Sequence, residues 1–558
     1  MPRLLVLCAS VAIVTAATVL SACRDAGVPV EPASVAIGDA TAADGVVAWR
    51  RAVTTADATA QRRFDEGFMR FVAFDHEQAR RAFAAAARQD PQCAMAHWGV
   101  ALTYGPHDDR ALSDADAAAA RAAVGRAAAA SGASALERAL IAALVGRHAA
   151  APPGGSPTPE LAYASAMQEL WRRHPDDADI AALAAAALML RRPADLWRRD
   201  GRPRPGTAEA IAILDATLAS APDHPFANHL LIHAYEAAPD PSPADAAADR
   251  LRTLVPGMSH LVHMPSHIDV RRGRWDQAIL ANERAIALDR AYRQRTEAIG
   301  SFRFFMAHNN QMLAFAAMMS GRCRRAVAEL RALVADLPER FRDDHAPYVD
   351  GYVAGPIEGL VRAGEWRAVL AEPEPHARFP FARAIRFAAR GIAHAALGEV
   401  VAARREQTSF RAAQALIPAQ TEVGANPGRA IAAVAERMLA GEILIAEGRI
   451  DAGADLLRHG IVLEDALRYD EPPGWLVPLR HGLGAALMKH GRAAQAEAVY
   501  RADLAHWPDN GWSLYGLAES LRAQGRGDEA AAVDERFARV WRDADIAITS
   551  SCLCVPGG

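Results

Sequence analysis

The sequence predicts an all-α protein, a solenoid of helix-turn-helix units. Three observations carry that prediction. Apolar residues recur at helical spacing through most of the 558 residues, and β-branched runs are scarce. Gly-Arg and Pro-Asp pairs punctuate the helical stretches. A unit also recurs. GRWDQAILANERAIALD (273–289), GRAAQAEAVYRADLAHWPD (491–509) and GRGDEAAAVDERFARVW (525–541) share a Gly-Arg turn, an alanine five residues after the glycine, and a second helix.

The bulk composition fits a large globular core. The chain is 51% apolar and 23% charged, with a net charge of −4. Acids and bases nearly balance, so there is no nucleic-acid footprint. The arginines of WRRDGRPRPG (197–206) read as a local solvated loop.

In chain order, residues 1–22 have the length and apolar run of a signal peptide. Leu20-Ser21-Ala22-Cys23 resembles the bacterial lipoprotein box. The resemblance implies cleavage before Cys23 and a diacylglyceryl group on its sulfur. With Arg24 following, it implies the periplasmic face of the outer membrane. Residues 23–56 read as a flexible tether. No later apolar run approaches the ~20 residues needed to span a bilayer, so membrane contact is expected through the lipid alone.

Residues 57–224 begin with one clear unit, FDEGFMRFVAFDHEQARRAFAAAARQDP (64–91), with Gly67, Ala79, Phe83, Ala86 and Pro91. Alanine-rich, less regular helices follow. Residues 225–345 hold the central units and 346–545 the C-terminal ones. Residues 546–558 read as a disordered tail, with Cys552 and Cys554 forming a local disulfide or soft-metal pair as the alternative. Four cysteines outside the signal and the lipid position make no disulfide framework.

These units resemble the tetratricopeptide repeat (TPR), a 34-residue helix pair in which Gly and Ala sit where the helices approach closely. The resemblance implies a right-handed superhelix with a concave groove lined by its first helices. CAMAHWG (93–99), HLLIHAYE (229–236), HLVHMPSHI (260–268), AHNN (307–310), RYDEPP (468–473) and NGWSLYGL (510–517) further resemble a largely uncharacterised group of bacterial TPR lipoproteins. That likeness implies a fold and supplies no reaction.

The histidines follow the repeat. His229 and His263 are 34 residues apart, and so are His233 and His267. Each pair is spaced i, i+4 on one helix face. Glu236 continues the first stripe, His260 precedes the second pair, and His308 takes the place of His260 in the next unit. The repeat resemblance puts all seven in the groove, where facing imidazoles can share a zinc, copper, iron or nickel ion. Pro265 interrupts the helix there. The segment 464–475 suggests a structured loop, with Asp470 and Glu471 as a groove rim. His76, His97 and His107 read as turn or surface residues, and Trp507, Trp512 and Tyr515 as packing between the last repeats.

Three functions remain open: a metal-binding envelope lipoprotein that presents its ion to a ligand or partner; a metal-free scaffold docking a protein or peptide in the groove; and a hydrolytic or oxidative metalloenzyme. The zincin motif is missing, because Leu230 and Met264 follow the first histidine of each pair.

Overall fold

The computed structural model describes residues 49–105, 107, 112–149, 158–296 and 299–554. The signal segment, Cys23 and most of the expected tether lie outside the described residues.

The Gly-Arg signature is a helix stop. At Gly273, Gly321, Gly398, Gly448, Gly491 and Gly525 the backbone turns left-handed, with φ between 69° and 80°. The next residue sends its N–H back to a carbonyl five residues earlier, at 2.8–3.0 Å. This double turn satisfies carbonyls that the helix end would strand, and an L-residue at the glycine would press its Cβ against the following carbonyl oxygen. Each stop folds the chain back into an antiparallel partner. Arg303–Met319 pairs with Cys323–Asp336, Pro380–Ala396 with Val400–Ala415, and Gly428–Ala446 with Ile450–Glu464. Leu479–Lys489 pairs with Ala493–His506, and Gly511–Ala523 with Gly527–Val540.

Neighbouring pairs lock through an aromatic ring wedged between two glycines. Phe83 lies so close to Gly67 and Gly99 that a Cβ there would sit 2.7 and 2.5 Å from the ring. Tyr500 does the same between Gly484 and Gly516. The weakly patterned region before residue 224 is also paired helices, with Ala94–Leu102 on Asp114–Ala129 and Ala178–Met189 on Thr207–Ser220. Ser113, Ser134, Thr158 and Asp177 start helices there by accepting backbone N–H groups. The architecture is an all-α TPR-type solenoid.

Two expectations need correction. The end of the expected tether is fixed: Arg51 is ion-paired with Asp177 and Asp179 at 2.9 Å, and Thr54 bonds Glu137. The expected disordered tail is packed as far as residue 554. Cys552 and Cys554 form a disulfide, Cys554 lies buried near Glu442, and Ser551 bridges Tyr500 and the His481 carbonyl. In both places the anchoring partners lie over fifty residues away in sequence, beyond the reach of local composition.

The chain ends also reach its middle. Tyr292 donates to Asp75 at 2.8 Å. Trp275 donates to the Asp509 carbonyl and Trp512 to the Met318 carbonyl, at 2.9 and 2.8 Å. Trp507 packs on Phe315, so two of the tryptophans expected between the last repeats join those repeats to the centre instead.

The two kinds of glycine are separable by mutation. Gly448→Ala meets open space and carries only the left-handed penalty, roughly 1–2 kcal/mol. Gly516→Ala overlaps the Tyr500 ring and is expected to lower unfolding free energy further, by about 2–3 kcal/mol. Urea unfolding of the two variants beside the parent checks the order.

Candidate metal centre

Three successive first helices carry the histidines. Pro225–Tyr235 opens on a proline, with the His224 ring accepting the Ala227 N–H, and it carries His229 and His233. The next first helix breaks at Met264, where Pro265 forces a restart. Ser259–His263 carries His260 and His263, and Pro265–Arg271 carries His267. Arg303–Met319 carries His308.

All seven expected residues meet, but as two triads rather than one shared site. His229, His233 and His260 form the first, and His263, His267 and His308 the second. Each is an i, i+4 pair completed by a histidine from the following first helix. Nε2 of His229 lies 3.0 Å from Nε2 of His233 and 3.2 Å from that of His260. Nε2 of His267 lies 2.9 Å from that of His263 and 3.4 Å from that of His308. Glu236 and Glu471 converge on the other nitrogen of His267, making a third group of donors.

The remaining hydrogen bonds place the ring protons. His229 Nδ1 donates to the Val72 carbonyl at 2.8 Å, which can only accept. His233 Nδ1 faces Glu236 at 3.2 Å. His263 Nδ1 donates to Asn282 Oδ1 at 2.7 Å, the Asn282 amide being spent on the Ala278 carbonyl. His267 Nδ1 donates to Glu471 at 2.6 Å. With the proton on Nδ1, the Nε2 of each paired ring in its neutral form presents a lone pair. The contacts within the two i, i+4 pairs, at 3.0 and 2.9 Å, are then lone pair against lone pair, which repel unless a cation lies between them. Three imidazoles bound about 2.05 Å from one tetrahedral ion would stand about 3.3 Å apart, close to the spacing seen.

Burial keeps four of these rings neutral. It pushes His229, His260, His263 and His308 well below the ordinary imidazole value, and neighbouring histidines push further. They are neutral at pH 7. Burial lowers His267 too, but Glu236 and Glu471 together outweigh it and raise its value. Burial likewise opposes the charge on Glu236, but His233, His267 and Arg271 hold the carboxylate ionised.

The expected open groove is closed here. His229 and His263 are 0% exposed, His260 is 2% and His267 is 6%. Phe74 from the first repeat covers the first triad, its ring 4.5 Å from that of His229, and Phe305 stands 4.8 Å from His260. Glu471 is no rim residue but a buried partner of His267, with Tyr469 donating to its other oxygen. Asp470 does not reach the histidines. It accepts the Ala425 N–H at 2.8 Å, and burial pushes its carboxyl up to about 7. His76 and His107 stack on each other and belong to neither triad, while His97 faces the Pro91 carbonyl. Val72, Phe74, Asn282 and Tyr469 carried no signal. Val72 contributes a carbonyl, and the other three lie in segments whose pattern marks a repeat or a loop without marking these side chains.

No family model and no curated protein matches the sequence. Among solved structures, the chain resembles the human IFIT1 dimer with m7Gppp-AAAA, at 11% identity over 88% of this chain and 92% of that one, TM-score 0.32. It also resembles the TPR domain of P58(IPK), at 13% identity over 86% and 93%, TM-score 0.20. Yeast Tom70 aligns at 9% identity over 86% and 90%, TM-score 0.28. Likenesses this loose carry no functional weight. The chain's own helix pairs and glycine stops define its class, a TPR-type solenoid, here with a buried polyhistidine core.

The loop that supplies Glu471 is held by Glu358, which accepts the Leu476 N–H at 2.9 Å. Burial pushes the Glu358 carboxyl from 4.5 up to about 8. The fold favours the neutral acid, so this stabilising contribution is complete below about pH 4.5 and is lost as pH rises through about 8. Glu358→Gln is expected to be more stable than the parent at pH 9, by on the order of 1–3 kcal/mol, with the gap closing below about pH 4.5. Thermal melts across pH read the difference.

Proposed function

We propose that this TPR-type solenoid is a metal-binding protein that holds two transition-metal ions, one in each histidine triad. The observation that carries the reading is the inward aim of paired Nε2 atoms at 2.9–3.0 Å while their Nδ1 protons are committed elsewhere, with a third imidazole nitrogen within 3.4 Å of each pair. Neutral imidazoles suit zinc, copper, nickel or ferrous iron, whereas calcium and magnesium prefer oxygen donors. Three protein ligands leave a coordination position for water or a further ligand. Val72, Glu236, Asn282 and Glu471 orient the rings and fix their tautomers, the usual work of groups behind metal ligands. Glu236 serves both triads, lying 3.2 Å from His233 and 3.3 Å from His267.

The proposal includes the envelope: a lipid on Cys23 anchors the core to the membrane. A scaffold reading stands beside it, since helix-pair solenoids offer long surfaces to protein partners. The exposed Val401, Leu416 and Val462 lie away from the histidines and suit that role better than the closed interior.

Elemental analysis of the gel-filtered protein is expected to give two equivalents of metal. His229→Ala/His233→Ala and His263→Ala/His267→Ala should each keep one, with folding checked by circular dichroism. A parent that takes up none of Zn²⁺, Cu²⁺, Ni²⁺ or Fe²⁺ refutes the reading. Separately, radiolabelled palmitate is expected to label the chain in cells and to be lost from Cys23→Ser, which should leave the membrane fraction.

A further inference from the structure

A cavity of about 740 Å³ adjoins the histidine core. It is independent of the ligand nitrogens, although Arg271, Tyr469 and Asp470 belong both to its wall and to the surroundings of the carboxylates. Its size suits a small organic molecule.

Three buried polar atoms on lining residues lack a partner. They are Trp475 Nε1, Arg271 Nε and Glu464 Oε2. Trp475 is 1% exposed and Arg271 9%. An unpaired buried N–H is costly, so two on one cavity wall point to an acceptor that the protein itself does not provide.

The charges point the same way. Arg271 is fixed by the Glu236 and Ala238 carbonyls and lies 5.3 Å over the Tyr469 ring, with no carboxylate in direct contact. Arg198 and Arg199 line the cavity, are exposed, and are not ion-paired. The acids of the wall are committed or raised: Asp503 is held by His481, Asn510 and Ser513, and Asp470 accepts the Ala425 N–H. Asp195 is paired with Arg204 and Asp465 with Arg480. Burial pushes Glu464 up to about 8, which leaves it a neutral acid. What stands free is the charge of Arg198 and Arg199, beside the unpaired N–H groups of Trp475 and Arg271 and a wall that includes Trp197, Trp475 and Trp507.

The structure assigns this cavity to a small organic anion with a flat apolar body, of the aromatic carboxylate class. The anion would meet Arg271 and the Trp475 N–H, with Arg198 and Arg199 drawing it in, while the indoles cover its rings. The site is separate from the triads and goes beyond the metal reading.

The test is calorimetric titration of the purified protein with 2-naphthoate, and with 2-naphthalenemethanol, which has the same rings without the charge. One naphthoate per chain is expected, with the alcohol at least about tenfold weaker. Trp475→Phe keeps a ring and removes only the N–H, and Arg271→Gln removes the charge. Each should weaken naphthoate by about tenfold or more. Arg198→Gln/Arg199→Gln alters only exposed side chains, so a stable fold is expected, and it should weaken binding severalfold and flatten the salt dependence. No naphthoate binding, equal binding of the alcohol, or indifference to all three variants overturns the proposal. Repeating the titration after chelator treatment separates the two readings. Naphthoate binding that persists without metal supports this site whatever the triads hold.

Discussion

The bonds from His229 to the Val72 carbonyl and from His267 to Glu471 join residues 157 and 204 positions apart. In an ordinary solenoid each unit touches only its neighbours, and stability adds up along one dimension. Here the first repeat and a C-terminal loop both close on the middle of the stack. The closure buries four of the six imidazoles, lowers the proton affinity of His229, His260, His263 and His308, and brings the rings together Nε2 to Nε2. The covering by Phe74, the loop hold by Glu358 and the shared carboxylate of Glu236 all depend on that convergence.

Much of this was legible because repeats write structure into spacing. The glycine stops, the paired helices and the register of His229 with His263 follow from a 34-residue period. The place of His308 follows from its position within its own unit, where it matches His260, and it completes its triad as His260 completes the other. The partition into two triads was not legible. Spacing gives the face a histidine occupies, but not which of two neighbouring rings its Nε2 approaches. The partners of the Nδ1 atoms were hidden for a simpler reason: a carbonyl at Val72 has no sequence signature. Glu471 was visible as an unusual residue, yet its depth depends on how the ends of the stack close, which local pattern does not encode. The same limit applies at the two termini, where Arg51 and Ser551 find partners far along the chain.

The repeat makes two sites alike in ligands and unlike in setting. The first triad rests on the Val72 carbonyl, Glu236 and aromatic rings, the second on Asn282, Glu471 and the same Glu236. An anionic partner behind an imidazole makes it a stronger donor. On the metal reading, the second triad, with two carboxylates on His267, would be the better seat for a dication, and Glu236 would tie its occupancy electrostatically to that of the first.

The closure also sets a timetable. The six histidines lie between residues 229 and 308, so they leave the ribosome well before Glu471 does. Until residues 464–475 dock, His267 lacks the acceptor that fixes its proton, and the second cage has one loose wall. Metal that arrives early meets a floppy cluster, whereas metal that arrives late meets a finished one. On the metal reading, once the loop is down an ion would leave only when that loop or the first repeat lifts. Exchange would then follow the breathing of the two chain ends, and the seated ion would record that the whole chain has been assembled.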